Sequence, residues 1–299
     1  MKIVTFYTDE AMQVGVKTES GILDVAQAKQ AIPGFEDIPD TVHSWIETAE
    51  TTLPRVEALL LEAAGKAHLF LEEEQVKLGP CVPQPGKIIC IGLNYKKHAE
   101  ESKMPIPQYP ILFNKFANTV SAHNDVIELP VISKQVDYEA ELVIVMGKKA
   151  KHVSKEAALE HVFGYCNVND LSARDLQMRT PQWLLGKSCD GFSPLGPYLV
   201  TADEVGNPNE LGIRAYVNGE LRQDSNTADM IFHCDEIVSY ISRHMTLEPG
   251  DIILTGTPEG VILGYPEEKQ VWLKEGDEVT IEIDGLGRLT NRFVDERIG

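Results

Sequence analysis

Basic residues are scarce in this chain. Its 27 lysines and arginines stand against 46 aspartates and glutamates, a formal net charge of −19. That deficit disfavours nucleic acid and anionic membranes as partners, since both are bound through basic patches. Cysteine is also sparse and spaced wrongly for metal. The five cysteines, Cys81, Cys90, Cys166, Cys189 and Cys234, contain no C-x-x-C pair. Their odd number argues against a disulfide framework and suits reduced thiols in a cytosolic protein. The start, Met1-Lys2-Ile3-Val4-Thr5-Phe6, lacks the long apolar segment of a signal peptide. No apolar run approaches membrane-spanning length. No G-x-G-x-x-G or Walker A loop is present, so no nucleotide cofactor is indicated. There is no internal repeat, low-complexity tract or heptad pattern. The remaining composition, 43% hydrophobic and 24% charged over 299 residues, is that of an ordinary globular protein. A cytoplasmic location is expected. An anionic substrate would be repelled by so acidic a chain unless a cation sits in the site.

Residues 1–80 read as a small module. Strands are expected at Lys2–Tyr7 and Met12–Lys17 around a Thr8-Asp9-Glu10 turn, with a third after Gly21. Helices are expected near Thr41–Glu50 and Leu53–Ala64. Gly79-Pro80 and Pro83-Gln84-Pro85-Gly86 then mark a linker. A main body over residues 85–299 begins with a buried strand at Lys87–Gly92. Asn94 is expected to cap a short helix through Ser102, and Ser154 one through His161. Further strands are expected at Ile111–Asn114, Asp125–Leu129, Tyr165–Asn169, Tyr198–Thr201, Ile213–Val217, Asp251–Thr255 and Glu278–Ile283, and a helix at Ile231–Met245. Many strands with few helices argue against a doubly wound sheet. They predict an α+β, mainly β fold with a mixed sheet or rolled barrel.

Three carboxylates stand out. Glu139 and Glu141 lie in Val136-Asp137-Tyr138-Glu139-Ala140-Glu141, which runs into the apolar stretch Leu142–Met146. Alternate residues of a strand share a face, so the two point the same way. On an exposed edge they would simply face water. At the mouth of a buried strand, two like charges imply a proton or a cation between them. Asp170 follows in Val168-Asn169-Asp170. An all-oxygen set suits Mg²⁺, Mn²⁺ or Ca²⁺ better than zinc. Asp170, Arg174 and Gln177 are spaced to share one helix face; the alternative is a capping aspartate with a routine Asp–Arg pair. Asn94, His98 and Glu101 repeat the spacing, so His98 and Glu101 can meet as a carboxylate-oriented general base; the alternative is a solvated surface histidine. Lys187, set among apolar and small residues, can bridge carboxylates or support an oxyanion, or pack its stem with its head in water. The glycines of Thr255-Gly256-Thr257-Pro258-Glu259-Gly260 permit close approach to a ligand, or make a plain turn.

Taken in order, these segments resemble the fumarylacetoacetate hydrolase family. The matching runs are Ile91-Gly92-x-Asn94-Tyr95-x-x-His98-x-x-Glu101, Tyr138-Glu139-Ala140-Glu141-Leu142 and Asn169-Asp170-x-Ser172-Ala173-Arg174-Asp175-x-Gln177. After them come Lys187-Ser188-x-Asp190, Val217-Asn218-Gly219-Glu220-x-x-Gln223 and Gly250-Asp251-Ile252-Ile253-Leu254-Thr255-Gly256-Thr257-Pro258. The resemblance covers about residues 85–299, and the first 80 resemble the small extra domain of longer bacterial members. It implies a β-sandwich or β-roll catalytic domain, a homodimer, and Mg²⁺ or Mn²⁺ held by Glu139, Glu141 and Asp170. It implies His98 and Glu101 as the water-activating dyad and Lys187 as a catalytic cation. Asn94, Arg174, Gln177 and Thr257 become the expected substrate contacts. Some acylpyruvate-hydrolysing members carry Arg before the Asn of the first motif, where this chain has Leu93.

The activity so implied is metal-dependent C–C hydrolysis of a small β-diketo acid of the acylpyruvate or fumarylpyruvate type, through a stabilised enolate. The same electron sink serves an oxaloacetate decarboxylase or a hydroxymuconate-type isomerase. A binding or scaffold protein with an inactive site is the non-enzyme alternative.

Overall fold

The apolar run Leu142–Met146 becomes the middle of the largest sheet, every residue of it with zero exposure. The computed structural model describes residues 1–8 and 11–297. The expected turn at Thr8-Asp9-Glu10 includes Asp9 and Glu10, which lie outside them. The strands in chain order are β1 (Lys2–Tyr7), β2 (Met12–Thr18), β3 (Gly21–Asp24), β4 (Phe70–Leu71), β5 (Ile88–Gly92), β6 (Ile111–Lys115), β7 (Val120–Ala122), β8 (Val126–Leu129) and β9 (Val136–Asp137). They continue as β10 (Ala140–Met146), β11 (Val162–Asn169), β12 (Ser172–Ala173), β13 (Ser193–Thr201), β14 (Gly212–Val217), β15 (Glu220–Asn226), β16 (Ile252–Leu254), β17 (Glu278–Ile283) and β18 (Gly287–Asp295). The large sheet runs β4-β3-β2-β1-β13-β11-β10-β16-β5-β6, with β7 beside β13. A second sheet runs β15-β14-β17-β18-β8, and β9 pairs with β12 alone. Most pairs are antiparallel; β5–β16, β7–β13 and β8–β18 are parallel. The fold is thus mixed and mainly β, as the strand count implied.

The helices are α1 (Val25–Ala31), α2 (Val42–Glu47), α3 (Ala49–Ala63), α4 (Lys96–Glu101), α5 (Arg174–Gln177), α6 (Leu184–Lys187), α7 (Ala202–Val205) and α8 (Cys234–His244). α1–α3 pack on the N-terminal strands. Those strands extend the large sheet rather than forming their own, because β1 pairs with β13 at Lys2↔Val200 and Ile3↔Leu199. One apolar core accordingly joins Ile3, Trp45 and Leu59 to Val143, Val168 and Leu195.

Two local expectations change. Ser154–His161 forms only a 3₁₀ turn over Ala158–His161. Asp170 does not open a helix. Ser172 and Ala173 first pair with Asp137 and Val136, so the helix begins at Arg174. Asp170 instead donates its backbone N–H to Glu139 O at 2.9 Å. The register Ala140↔Asn169 and Glu141↔Val168 sets the start of β10 against the end of β11. Glu139, Glu141 and Asp170 therefore emerge at one end of the sheet.

Candidate active site and metal centre

Glu139, Glu141 and Asp170 are nearly sealed, at 5%, 2% and 0% exposure. Each offers a carboxylate oxygen, and the three oxygens lie within 4.8 Å of one another. Three cations surround them. Lys187 Nζ donates to Glu139 Oε2 at 2.6 Å and Asp170 Oδ2 at 2.7 Å. Arg174 Nη2 donates to Glu139 Oε1 at 2.7 Å, and its Nε to Asp137 Oδ2 at 2.9 Å. Lys115 donates to Asp170 Oδ1 and to the carbonyls of Phe192 and Leu171. Among the described residues no cation pairs with Glu141; Gly256 N–H donates to it at 2.7 Å.

The electrostatics follow this partnering. Burial would raise the Glu139 carboxyl, but Lys187 and Arg174 outweigh it and hold it well below the usual range. Burial would lower Lys187, but Asp170 and Glu139 hold it above its ordinary value. Glu141 goes the other way: burial, then the charges of Asp170 and Glu139, push it well up. Counted as ions, the four carboxylates Asp137, Glu139, Glu141 and Asp170 exceed the three cations Lys115, Arg174 and Lys187 by one negative charge, which the raised Glu141 carboxyl withholds until a cation binds. A hard, all-oxygen donor set with excess negative charge fits a divalent cation such as Mg²⁺ or Mn²⁺. Such a cation would turn the balance to +1 and suit an anionic ligand.

His98 and Glu101 sit on α4, where an i,i+3 spacing brings side chains together. His98 Nδ1 lies 2.8 Å from Glu101 Oε1. With Glu101 accepting from Nδ1–H, Nε2 carries the free lone pair. His98 and Glu101 share with Glu139, Glu141, Arg174, Gln177, Lys187 and Thr257 the lining of a cavity of about 680 Å³. Leu93, Met104, Trp183, Leu263 and Tyr265 form much of its remaining wall.

The structure therefore gathers nine of the ten residues singled out from sequence. Asp170 lies behind the cavity wall, bonded to Lys187; the other eight line the cavity. Asn94 stands apart. It neither caps α4, whose N-cap is Tyr95, nor faces the cavity. Its amide donates to Phe232 O and Thr255 O, and its Oδ1 accepts from Phe232 N–H. These bonds brace the loop after β16. Arg174 is also heavily engaged, since its Nη1 donates to Gln177 Oε1 at 3.0 Å. That bond leaves the Gln177 amide N–H₂ free.

Three polar residues escaped the sequence reading. Lys115 carried a signal, a lone charge after Ile111-Leu112-Phe113, of the kind that drew attention to Lys187. Asp137 is fully buried and accepts from Tyr138, Ile262 and Leu263 N–H as well as Arg174. Gln223 ties Ala140 N–H to Thr257 Oγ1 and Pro258 O. Gln223 closes the run Val217-Asn218-Gly219-Glu220-x-x-Gln223 matched above, but that run alone gives it no role, and nothing local distinguishes Asp137 from a surface aspartate.

Comparison with known proteins agrees with the geometry. The family model described as fumarylacetoacetate (FAA) hydrolase C-terminal matches residues 87–294. The Xenopus laevis protein named oxaloacetate tautomerase fahd2, mitochondrial, is 40% identical over 300 residues, covering 98% of this chain and 90% of that protein. The fumarylacetoacetate hydrolase of Exiguobacterium antarcticum superposes with a TM-score of 0.83 at 33% identity, over 99% of this chain and all (100%) of that one. The maleylpyruvate hydrolase of Sphingobium sp. SYK-6, solved with manganese(II) and pyruvate, gives a TM-score of 0.80 at 32% identity over 99% and 100% of the two chains. The Xenopus alignment spans almost this whole chain, so the first 80 residues are not peculiar to bacterial proteins. The Xenopus protein's name places it in mitochondria, which differs from the cytoplasmic expectation for this chain. Among the described residues no helix is long and apolar enough to cross a membrane.

Proposed function

This chain belongs to the fumarylacetoacetate hydrolase family, and from that premise we propose that it is a divalent-metal-dependent enzyme moving a proton beside the carbonyl of a small 2-oxo acid, with keto–enol tautomerisation of oxaloacetate as its leading activity. The observation that carries this reading is the His98–Glu101 pair lining the same cavity as Glu139 and Glu141. The 40% identity to a protein named oxaloacetate tautomerase supports the choice of substrate. It moves the weight from C–C hydrolysis, the first expectation from sequence, to a reaction needing no water.

In this reading Glu139, Glu141 and Asp170 hold Mg²⁺ or Mn²⁺. Such a cation would supply positive charge that favours an enolate over its ketone. His98 Nε2 takes a proton from C3 of the keto acid, and Glu101 stabilises the imidazolium through Nδ1–H. The negative charge passes to the 2-oxo oxygen, which the Lys187 ammonium in the cavity lining would stabilise. Return of the proton to that oxygen completes the enol, so one proton moves and no redox change occurs. Gln177, Thr257 and the free N–H groups of Arg174 orient the substrate carboxylate. The apolar wall around Leu263 and Trp183 keeps bulk water from the carbanion.

A second reading, hydrolysis of an acylpyruvate or fumarylpyruvate, has its own support. The cavity of about 680 Å³ exceeds what a four-carbon acid needs, and a maleylpyruvate hydrolase is 32% identical. Here His98 would deprotonate water instead of C3. The test is one panel with Mg²⁺ or Mn²⁺: enol absorbance of oxaloacetate, pyruvate release from acylpyruvates, CO₂ release from oxaloacetate, and isomerisation of hydroxymuconate-like diacids. Fastest turnover in the first arm supports the leading reading, and fastest in the second replaces it with hydrolysis. No turnover in any arm leaves the binding-protein alternative. A homodimer, expected from the resemblance, belongs to the same proposal; light scattering showing only monomer at micromolar concentration would contradict it.

A further inference from the structure

Glu101 is held by more than its histidine. Gly260 N–H donates to its two carboxylate oxygens at 3.3 and 3.1 Å. From the same short helix Lys97 Nζ reaches Glu259 Oε1 at 3.3 Å. Beneath the carboxylate lies Gly264. A Cβ built there would stand 2.5 Å from Glu101 Cδ and 2.6 and 2.7 Å from its oxygens. The backbone of Gly264 is not in the left-handed region, so its conformation does not call for glycine. Gly260 differs: its φ is +99°, and a Cβ would meet Arg222 O at 2.2 Å.

The loop is also braced from behind. Tyr138 Oη donates to Gly260 O at 2.8 Å. The N–H groups of Ile262 and Leu263 donate to Asp137 at 2.8 and 3.0 Å. Residues directly before Glu139 thus fix the loop that receives α4. Loop and carboxylates are held in one frame, which is what a proton-transfer group needs relative to its substrate.

We propose that residues 259–264 form the seat of Glu101, and that Gly264 is a positioning residue for the His98–Glu101 dyad because its missing side chain is the space the carboxylate occupies. The inference rests on the dyad being the proton-transfer group. It makes Gly264→Ala an unusually clean variant. The clash is with the far end of a flexible side chain, so the fold accommodates alanine while Glu101 must leave its seat.

Three measurements test this on the full chain. Gly264→Ala should leave the melting temperature nearly unchanged but lower kcat on the order of 10²-fold, the cost of misplacing a catalytic group by about 1 Å. Hydrogen exchange across Lys96–Glu101 should speed up in the same variant. In a Glu101→Ala background Gly264→Ala should change the residual rate by less than about twofold, since contacting residues are not additive. A merely structural glycine would cost as much in both backgrounds, and that result overturns the proposal. So does wild-type kcat and exchange in Gly264→Ala while His98→Ala is inactive. Wild-type activity in His98→Ala would instead sink the dyad reading, with exchange still testing the seat. Should Gly264→Ala fail to fold, Glu101→Ala remains: it should strip protection from the Gly260 amide, and unchanged protection there overturns the proposal.

Discussion

Lys115 donates to Asp170 with both side chains wholly shut off from solvent. The remaining bonds of the ammonium go to the Phe192 and Leu171 carbonyls. Lys115 therefore fixes one carboxylate oxygen while Lys187 holds the other. Removing one partner of a buried pair strands the other charge, which costs about 3–5 kcal/mol. Lys115→Met should lower unfolding free energy by about that much in urea titrations. A loss below about 1 kcal/mol would place the pair among solvent-screened bridges.

Glu141 is the carboxylate of the site without a cationic partner among the described residues, so it has the most to gain from a bound cation. Glu141→Gln keeps shape and removes the charge. Removing even an outer partner of a metal ligand costs about 10–100-fold in affinity, so loss of a ligand should cost at least that. Calorimetric titration with Mn²⁺ checks it. Equal affinity in wild type and variant would move the metal elsewhere.

Much of this site was legible in the sequence. Strand alternation led to the pairing of Glu139 with Glu141, although β10 begins at Ala140 and Glu139 lies just before it, and helical spacing led to that of His98 with Glu101. Asp170 was found, but it does not open a helix as expected, because Ser172 and Ala173 spend their backbone bonds on a ladder to Asp137 and Val136. That partner lies some 35 residues away, beyond any local pattern. The bracing bonds of Asn94 were hidden for a like reason: its partners, Phe232 and Thr255, are distant in sequence. The mainly β fold could be read from strand count, but not the pairing of β1 with β13 that merges the N-terminal strands into the large sheet.

His123, which lines a different cavity from His98 and Glu101, offers a pH test. Burial holds its imidazole below the ordinary value, opposed weakly by Glu73. Its Nδ1 accepts from Thr290 N–H at 3.0 Å, a bond that protonation at Nδ1 destroys. The unfolded chain takes up the proton near the ordinary value of about 6.5, and the folded chain resists. The contribution to stability is therefore complete above that value and is lost as pH falls from it toward the lower folded value. Urea midpoints should fall between pH 7.5 and 5.5, and His123→Gln should flatten part of that slope. Identical slopes would show that His123 does not contribute.

Asn94→Ala distinguishes a brace from a substrate contact. Its side chain makes three bonds to buried backbone groups. Leaving a buried polar group unpaired costs about 1–3 kcal/mol. Stability should fall by at least that, with substrate KM changing little in whatever protein remains folded. A raised KM at unchanged stability would return Asn94 to the substrate.

His98→Ala separates the chemistries that this site can host. Enolisation needs a base at C3 and hydrolysis needs one at water, so both depend on Nε2 of His98. Decarboxylation of oxaloacetate needs an electron sink and a proton for the enolate, but no base to start it. Loss of a general base costs on the order of 10²–10⁴ in rate. Tautomerisation and any acylpyruvate cleavage should fall by that factor in His98→Ala, and any decarboxylation should fall much less. Mn²⁺ affinity should hold, because His98 is not among the three carboxylates proposed to hold the metal. The dyad also fastens α4 to the loop at Gly260 through Glu101, so its loss can open the cavity and slow every reaction. Hydrogen exchange across Lys96–Glu101 separates the cases: unchanged protection with selective loss of enolisation assigns His98 to proton transfer. Equal loss in all three activities with raised exchange assigns it to closure instead.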